Sequence, residues 1–499
     1  MKILEKLERS KNFWFLLALI LGFFTLRFPS LFEPNWYGDE GVYQVLSLAV
    51  RDGRLLYQDI WDNKPPLLYL IYAIFDADQF WVKFASIVFG IFAIVVFFYL
   101  SRKIFYNLKT SIVITSIFAL FFGLPILEGN IANAENFMAL PILLSAFLLV
   151  SLANKKELID KKSQRKNLFL VFLSGLFLGV AFLFKIVAIF DFLAFLLFLF
   201  FLDQNILVHL RRKNYQAYEV KKLFSYVLGF LILPLFTALF FLFKGAFIPF
   251  INATFFSNIG YVGYGNKLLI PQGLLILKVI LLLFSSYIIF AKRKMLGIAG
   301  TFALLWFSFS LFNAFFSQRP YTHYLLVLLP SMVILAGAVL DSRKLRRVYL
   351  ILLLISLLLI TTNFSFYSKI FPYYGNFLSF MTNNRSVSQY QRFFDRITPV
   401  DYELASFVKF NTRKKDYIFT WGNNAQLYQL SNKLPPGRYT VAYHVMSVKN
   451  GVKETAKDLE LKKPKYIIIM PYMKYFPFPL TGYSKRMTID QALIYERVL

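Results

Sequence analysis

Long apolar runs recur from Phe13 to Asn363, separated by short polar connections. A helix needs roughly 17–25 apolar residues to cross a bilayer. Runs of this kind lie at 13–32, 80–101, 111–127, 134–152, 168–184, 187–203, 223–243, 272–291, 296–316, 324–340 and 348–363. Backbone groups in lipid must be satisfied internally, which leaves helices or closed barrels. The runs lack the period-2 alternation of barrel strands. The expected class is therefore a polytopic α-helical membrane protein with about eleven spans. Composition agrees: 58% of the 499 residues are hydrophobic and 60 are Phe. The mean hydropathy is +0.56, whereas a soluble domain is nearer half apolar.

The formal net charge is +28. A basic total often points to nucleic acid, but here its location decides. Basic clusters sit at Lys2–Lys11, Arg102–Lys109, Lys155–Lys166, Arg211–Lys222, Lys292–Lys294 and Arg343–Arg347. They fall in alternate connections between the runs, so the positive-inside rule puts the N-terminus in the cytoplasm and the C-terminus outside. No nucleic-acid partner is called for. Leu168–Leu202 joins two basic clusters and is interrupted by Lys185, so it must cross twice and turn near that lysine. The N-terminus has a basic start and an apolar run without an A-x-A-like cleavage site, and reads as an uncleaved first span. There are no cysteines, which excludes disulfides and thiolate metal sites.

The outside connections are then Glu33–Gln79, Glu128–Asn133, the turn near Lys185, Lys244–Gly273, Ser317–His323 and the tail. In the first, Val42, Val45, Leu46, Ala49 and Val50 recur at helical spacing, and Leu67–Phe75 is apolar but too short to span. Both read as helices lying in the membrane interface, separated by the prolines of "DNKPP" (Asp62–Pro66). After Asn363 the pattern becomes soluble. A helix is expected at Asp401–Asn411, a strand at Asp416–Gly422, a short helix at Asn424–Ser431 and a strand at Lys463–Pro471. The division is a transmembrane domain over 1–363 and a small extracytoplasmic α/β domain over 364–499. That domain's basic surface suits anionic lipid or glycan, although solubility alone also accounts for it.

Polar residues of interest gather on the outer face. Asp39 and Glu40 in "NWYGDEGVYQVL" follow the first span. Gly-Asp-Glu before a helix suits N-terminal capping and the macrodipole. One acid would serve for that, and a carboxylate at membrane level is by default a functional hypothesis. Lys64 is set beside two prolines, although a lysine there also snorkels. Glu135 lies in the first turn of the fourth span, Arg319 and His323 at the outer end of the tenth. Arg grips phosphate in a bidentate fork, and a lone His is commonly structural. Carboxylates and cations on one side of a membrane fit a reaction with a phosphate leaving group: a carboxylate activates the acceptor, and cations hold the departing phosphate.

"YGDEGVY", "WDNKPPLLYLI", "NAENFMALPILL" and "RPYTHYLLVLLP" together resemble the bacterial membrane glycosyltransferases of the GT-C superfamily, in the protein-mannosyltransferase-like and aminoarabinose-transferase-like branch. The resemblance implies a polyprenyl-phosphate sugar donor, an extracytoplasmic acceptor (lipid, cell-envelope glycan or protein), and inversion at the sugar. It implies Asp39 as base with Glu40 in support, Glu135 as the second acidic position, and Lys64, Arg319 and His323 toward the donor phosphate. No cofactor is required on this reading. A divalent cation on the carboxylates is the alternative to electrostatic work by the lysine and arginine. A transporter or flippase of lipid-linked glycans is the competing function. Its hallmarks are inverted repeats and spans broken at mid-membrane, whereas the charges here cluster at one face.

Overall fold

The computed structural model describes residues 11–153, 161–202, 213–259, 274–317 and 319–498, with side chains left undescribed at 161–162 and 213–217. Parts of the basic clusters at 2–11, 155–166 and 211–222, and the run ends at 203 and 272–273, lie outside the described residues. Two compact units emerge. The first comprises Met1–Phe28, Ala85–Thr237 and Ile259–Ser368; the second comprises Pro29–Phe84, Ala238–Asn258 and Lys369–Leu499.

The chain is a multi-pass membrane protein. Among the described residues, eight helices are long and apolar enough to cross a bilayer. One of these, Leu275–Ala314, is two helices joined at Gly297, whose φ 66°, ψ −176° combination only glycine adopts without strain. Its halves take up the expected runs 272–291 and 296–316. The runs 111–127 and 187–203 form shorter apolar helices, Leu108–Gly123 and Ile186–Phe201. Helix Lys161–Phe184 stops where expected: Lys185 is extended (φ −157°, ψ 130°), and the chain restarts through a single 3-10 turn. Helix Ala134–Ala153 packs against Lys161–Phe184 through a buried Ser145–Ser174 hydroxyl pair at 2.7 Å and a stacked Phe137–Phe184 pair. Small hydroxylated residues are the usual adhesive between helices in lipid.

In the second unit, both short helices of the first outer loop are present, at Gly38–Arg51 and Leu67–Ile74. The Pro65–Pro66 pair ends the preceding loop, and Pro66 occupies the N-cap position of the second helix. The tail is a small α/β arrangement. Helix Thr398–Asn411 precedes strand β1 (Ile418–Trp421), and helix Gln426–Ser431 follows it. Strand β2 (Tyr466–Ile469) pairs parallel to β1. Two strands beyond the sequence reading complete the sheet: β3 (Tyr483–Ile489) and β4 (Ala492–Arg497), giving the order β1-β2-β4-β3. Their hairpin turns on Asp490 and Gln491, both at positive φ. β1 and β2 are buried along their whole length, as parallel strands covered on both faces should be. Gly41 of the first outer loop lies against helix Gln426–Ser431: a Cβ there would stand 2.7 Å from the Gln426 nitrogen. Only glycine permits that approach, and it seats the helix carrying Asp39 on the tail.

Candidate active site

Asp39 and Glu40 are adjacent, and successive helical residues point about 100° apart. Their surroundings differ accordingly. The cap position of their helix is Tyr37, which makes no side-chain capping bond, while both acids fall in the first turn, where the macrodipole favours negative charge. Asp39 is 49% exposed, and its Oδ2 stands 3.5 Å from the Lys64 ammonium. The same oxygen accepts a 3.0 Å hydrogen bond from Tyr43, one turn on.

Lys64 is fixed from several directions. Its Nζ is 3.8 Å from Asp62 Oδ2 and 4.8 Å from the centre of the Tyr43 ring. Its carbonyl accepts from the Tyr57 hydroxyl at 2.8 Å, and its N–H donates to the Tyr69 hydroxyl. Tyr69 in turn donates to Asp62 Oδ2 at 2.8 Å. Burial, and secondly the Asp62 charge, push both phenols well above their ordinary value, so they remain hydrogen-bond donors. Asn63 and Asn258 bond reciprocally, Asn258 Nδ2 to the Asn63 carbonyl at 2.9 Å and Asn63 Nδ2 to Asn258 Oδ1 at 3.3 Å. Asn258 follows a π-helical turn, Asn252–Phe256, a distortion that recurs at functional sites.

Glu40 is buried. Its Oε2 is 3.4 Å from Lys83 Nζ. Lys83 is fully buried and sits 2.6 Å from Glu33 Oε2. Glu33 also accepts from the Tyr373 hydroxyl at 2.6 Å and from the Trp36 indole at 3.1 Å. Glu40 therefore belongs to a closed network that ties the first outer loop to the tail helix Ile370–Met381.

In the first unit, Glu135 occupies the first turn of helix Ala134–Ala153 and is 2% exposed. It forms a direct ion pair with Lys185. The Lys185 ammonium lies 4.5 Å from the centre of the Tyr324 ring. His323 lies alongside, with Nε2 4.0 Å from Glu135 and Nδ1 3.0 Å from Glu128 Oε2. Thr322 donates to the other Glu128 oxygen at 2.8 Å. Arg319 is half-buried, four residues before His323.

Asp39 and Lys64 are thus brought together, as are Glu135 and His323, while Glu40 turns away from Asp39. Sequence reading did not single out Glu33, Asp62, Lys83, Glu128 or His444. Lys83 had a signal, since it is an ionisable residue inside an apolar helix. Lys185 was placed as a turn marker and proves to be the partner of Glu135.

The structure of ArnT from Cupriavidus metallidurans, solved bound to undecaprenyl phosphate, superposes with a TM-score of 0.54 over 97% of this chain and 98% of that one, at 14% identity. The likeness is one of fold, and the chain has an ArnT-like fold. Residues 45–250 match the family described as dolichyl-phosphate-mannose-protein mannosyltransferase. That stretch holds Lys64, Glu135 and Lys185; Asp39, Arg319 and His323 lie outside it. The archaeal oligosaccharyltransferase AglB from Archaeoglobus fulgidus, in complex with an inhibitory peptide and a dolichol-phosphate, gives a TM-score of 0.49 at 14% identity over 92% of this chain and 69% of its own. No curated sequence matches the chain at a significant level.

Proposed function

We propose that the protein transfers a sugar from a polyprenyl-phosphate donor to an extracytoplasmic acceptor, with inversion at the sugar. The observation that carries this is the open pair of Asp39 and Lys64, a half-exposed carboxylate 3.5 Å from a braced ammonium. Asp39 takes the proton from the acceptor nucleophile as it attacks the anomeric carbon. The bond from that carbon to the phosphate oxygen breaks on the opposite face, and the phosphate leaves with the electron pair. Since the sugar lies between base and leaving group, Lys64 parts from Asp39 as the donor enters, meets the phosphate and offsets the charge that develops there. A cation placed where charge appears is worth more in a site screened from water than in solution. A polyprenyl phosphate needs no proton to depart, so no general acid is required.

Glu40 supports Asp39 by anchoring the shared helix through Lys83. Glu135 holds Lys185 and His323, and Arg319 and His323 keep a cationic role toward phosphate. On this reading the N-terminus is cytoplasmic, residues 1–363 are the membrane domain and residues 364–499 an extracytoplasmic domain. The test is transfer of labelled sugar from a polyprenyl-phosphate donor in purified membranes, wild type against Asp39→Asn. Full transfer by a normally expressed variant removes Asp39 as base. Lipid flipping without transfer replaces the reading with that of a flippase. For the topology, a single cysteine at the exposed Asn384 should label from outside, and labelling only from the cytoplasm reverses the assignment.

A further inference from the structure

The tail segment 435–444 is clamped onto the first outer loop. Arg54 donates to the carbonyls of Pro435 and Gly437 at 2.9 and 3.3 Å. Trp61 N–H donates to the Arg438 carbonyl at 2.8 Å, and Arg438 donates back to the Tyr57 carbonyl. This clamp carries His444, which is 3% exposed. Its ring meets the Trp61 indole edge-on at 4.9 Å between centres. Its Nε2 faces Asp62 Oδ1 at 3.8 Å.

Two features define the state of this imidazole. Nδ1 is buried without a hydrogen-bond partner among the described residues. A proton there would leave a buried donor unmet, which costs more than an idle acceptor, so the proton belongs on Nε2, toward Asp62. Burial, outweighing the opposing pull of Asp62 and Asp39 and reinforced by Lys64, lowers the His444 pKa to about 4, so the ring is neutral at physiological pH.

Asp62 thus accepts two hydrogen bonds, from Tyr69 on Oδ2 and from its neighbour Asn63 N–H on Oδ1 at 2.8 Å, and the imidazole edge faces Oδ1 at 3.8 Å, a charge–dipole contact longer than a hydrogen bond. We infer that His444 is a positioning residue of the transfer site, presenting Nε2–H to Asp62 so that Asp62 shares Lys64 with Asp39 rather than capturing it. The Lys64 distances, 3.5 Å to Asp39 and 3.8 Å to Asp62, are those of a shared cation. On this account the C-terminal domain supplies part of the site.

The inference rests on the transfer reading, so its experiment has one arm that does not need turnover. His444→Phe keeps the ring against Trp61 and removes the donor. His444→Gln places an amide nitrogen near the position of Nε2. In the full-length protein, Phe should lower kcat/KM for transfer a few-fold, as expected for a polar contact at 3.8 Å that is longer than a hydrogen bond, and Gln should restore it to within about twofold. Binding of undecaprenyl phosphate to the purified protein should weaken in Phe and recover in Gln, whether or not transfer is detected. Absence of transfer by the wild type with this binding pattern intact removes the transfer reading alone. Equal losses in Phe and Gln, or no loss in Phe, overturn the positioning role, as does wild-type protein that fails to bind undecaprenyl phosphate.

Discussion

The Asp39–Lys64 pair of the second unit and the Glu135–Lys185 pair of the first are built from the same groups in opposite settings. Asp39 is half exposed, and its lysine is divided between two carboxylates at 3.5 and 3.8 Å. Glu135 is 2% exposed and holds its lysine directly, with His323 beside it. An open pair retains charge to offer a substrate. A sealed pair has consumed its charge internally, and its loss is felt mainly as a buried ion without a partner. Exposure and the sharing of the cation, rather than position next to a membrane, distinguish the acid proposed to react from the one proposed to brace.

The comparison breaks most plainly at Asp39. Asp39→Asn should reduce transfer by about 10²–10⁴-fold, the range for a lost general base, with thermal stability close to wild type. Glu135→Gln with an equal loss of turnover and no loss of stability would erase the distinction. Next comes the sealed pair. Lys185→Met leaves Glu135 charged and buried, which should cost about 3–5 kcal/mol of stability. The double variant Lys185→Met with Glu135→Gln should recover most of that in a thermal melt of the purified protein. Failure of the double variant to recover would mean that Lys185 acts on something other than Glu135.

A third acid sharpens the contrast because it has amide partners. Asp401 is buried in the tail and accepts hydrogen bonds from Asn424 and Gln426, each at 2.8 Å. Burial raises its pKa to about 7, against the opposing effect of those two bonds. The folded form therefore keeps a proton that the unfolded chain releases near its ordinary value of 3.8. The associated stability is fully present below that value and is lost as pH rises through about 7. Wild-type protein should melt a few degrees lower at pH 8 than at pH 5, at roughly 2–4 °C per kcal/mol for a domain of this size. Asp401→Asn should flatten that slope, and an unchanged slope would show that another group governs it.

Much of this arrangement was legible in the chain. Spans, loop helices and the break at Lys185 follow from run length and from the placement of cations, which act locally. The Asp39 helix and the braced lysine followed from "GDE" and "KPP" for the same reason. The hairpin of β3 and β4 was not read, because its turn is Asp490–Gln491 without the glycine that usually marks a two-residue link. The partners of the acids were legible only in part. Lys83 stands 50 residues from Glu33, and His444 lies 382 residues after Asp62. The first pairing depends on how the outer loop returns to helix Gln79–Ile104 and the second on how the tail folds back on that loop, and no local period records either. The opposite fates of Asp39 and Glu40 also needed the structure, since helical geometry separates neighbours without saying which side is buried.

The smallest expected effect concerns the tyrosines that both lysines lie against. The ammonium of Lys64 is 4.8 Å from the Tyr43 ring centre and that of Lys185 is 4.5 Å from the Tyr324 ring centre. An ammonium over an aromatic face gains about 0.5–2 kcal/mol, depending on desolvation. Tyr43 also donates its hydroxyl to Asp39. Tyr43→Phe should therefore keep the ring contact and lose one hydrogen bond to a charged acid, a few-fold drop in kcat/KM at about 1 kcal/mol. Tyr43→Leu should lose both contacts and fall further in turnover, and because Tyr43 is buried against Tyr69 and Tyr72 it should also melt lower than Tyr43→Phe. Tyr324→Leu removes the same ring contact from the sealed pair, so its effect should appear in the melt. If both leucine variants change turnover and stability in the same ratio, the two pairs do the same work and the contrast between open and sealed sites has no functional meaning.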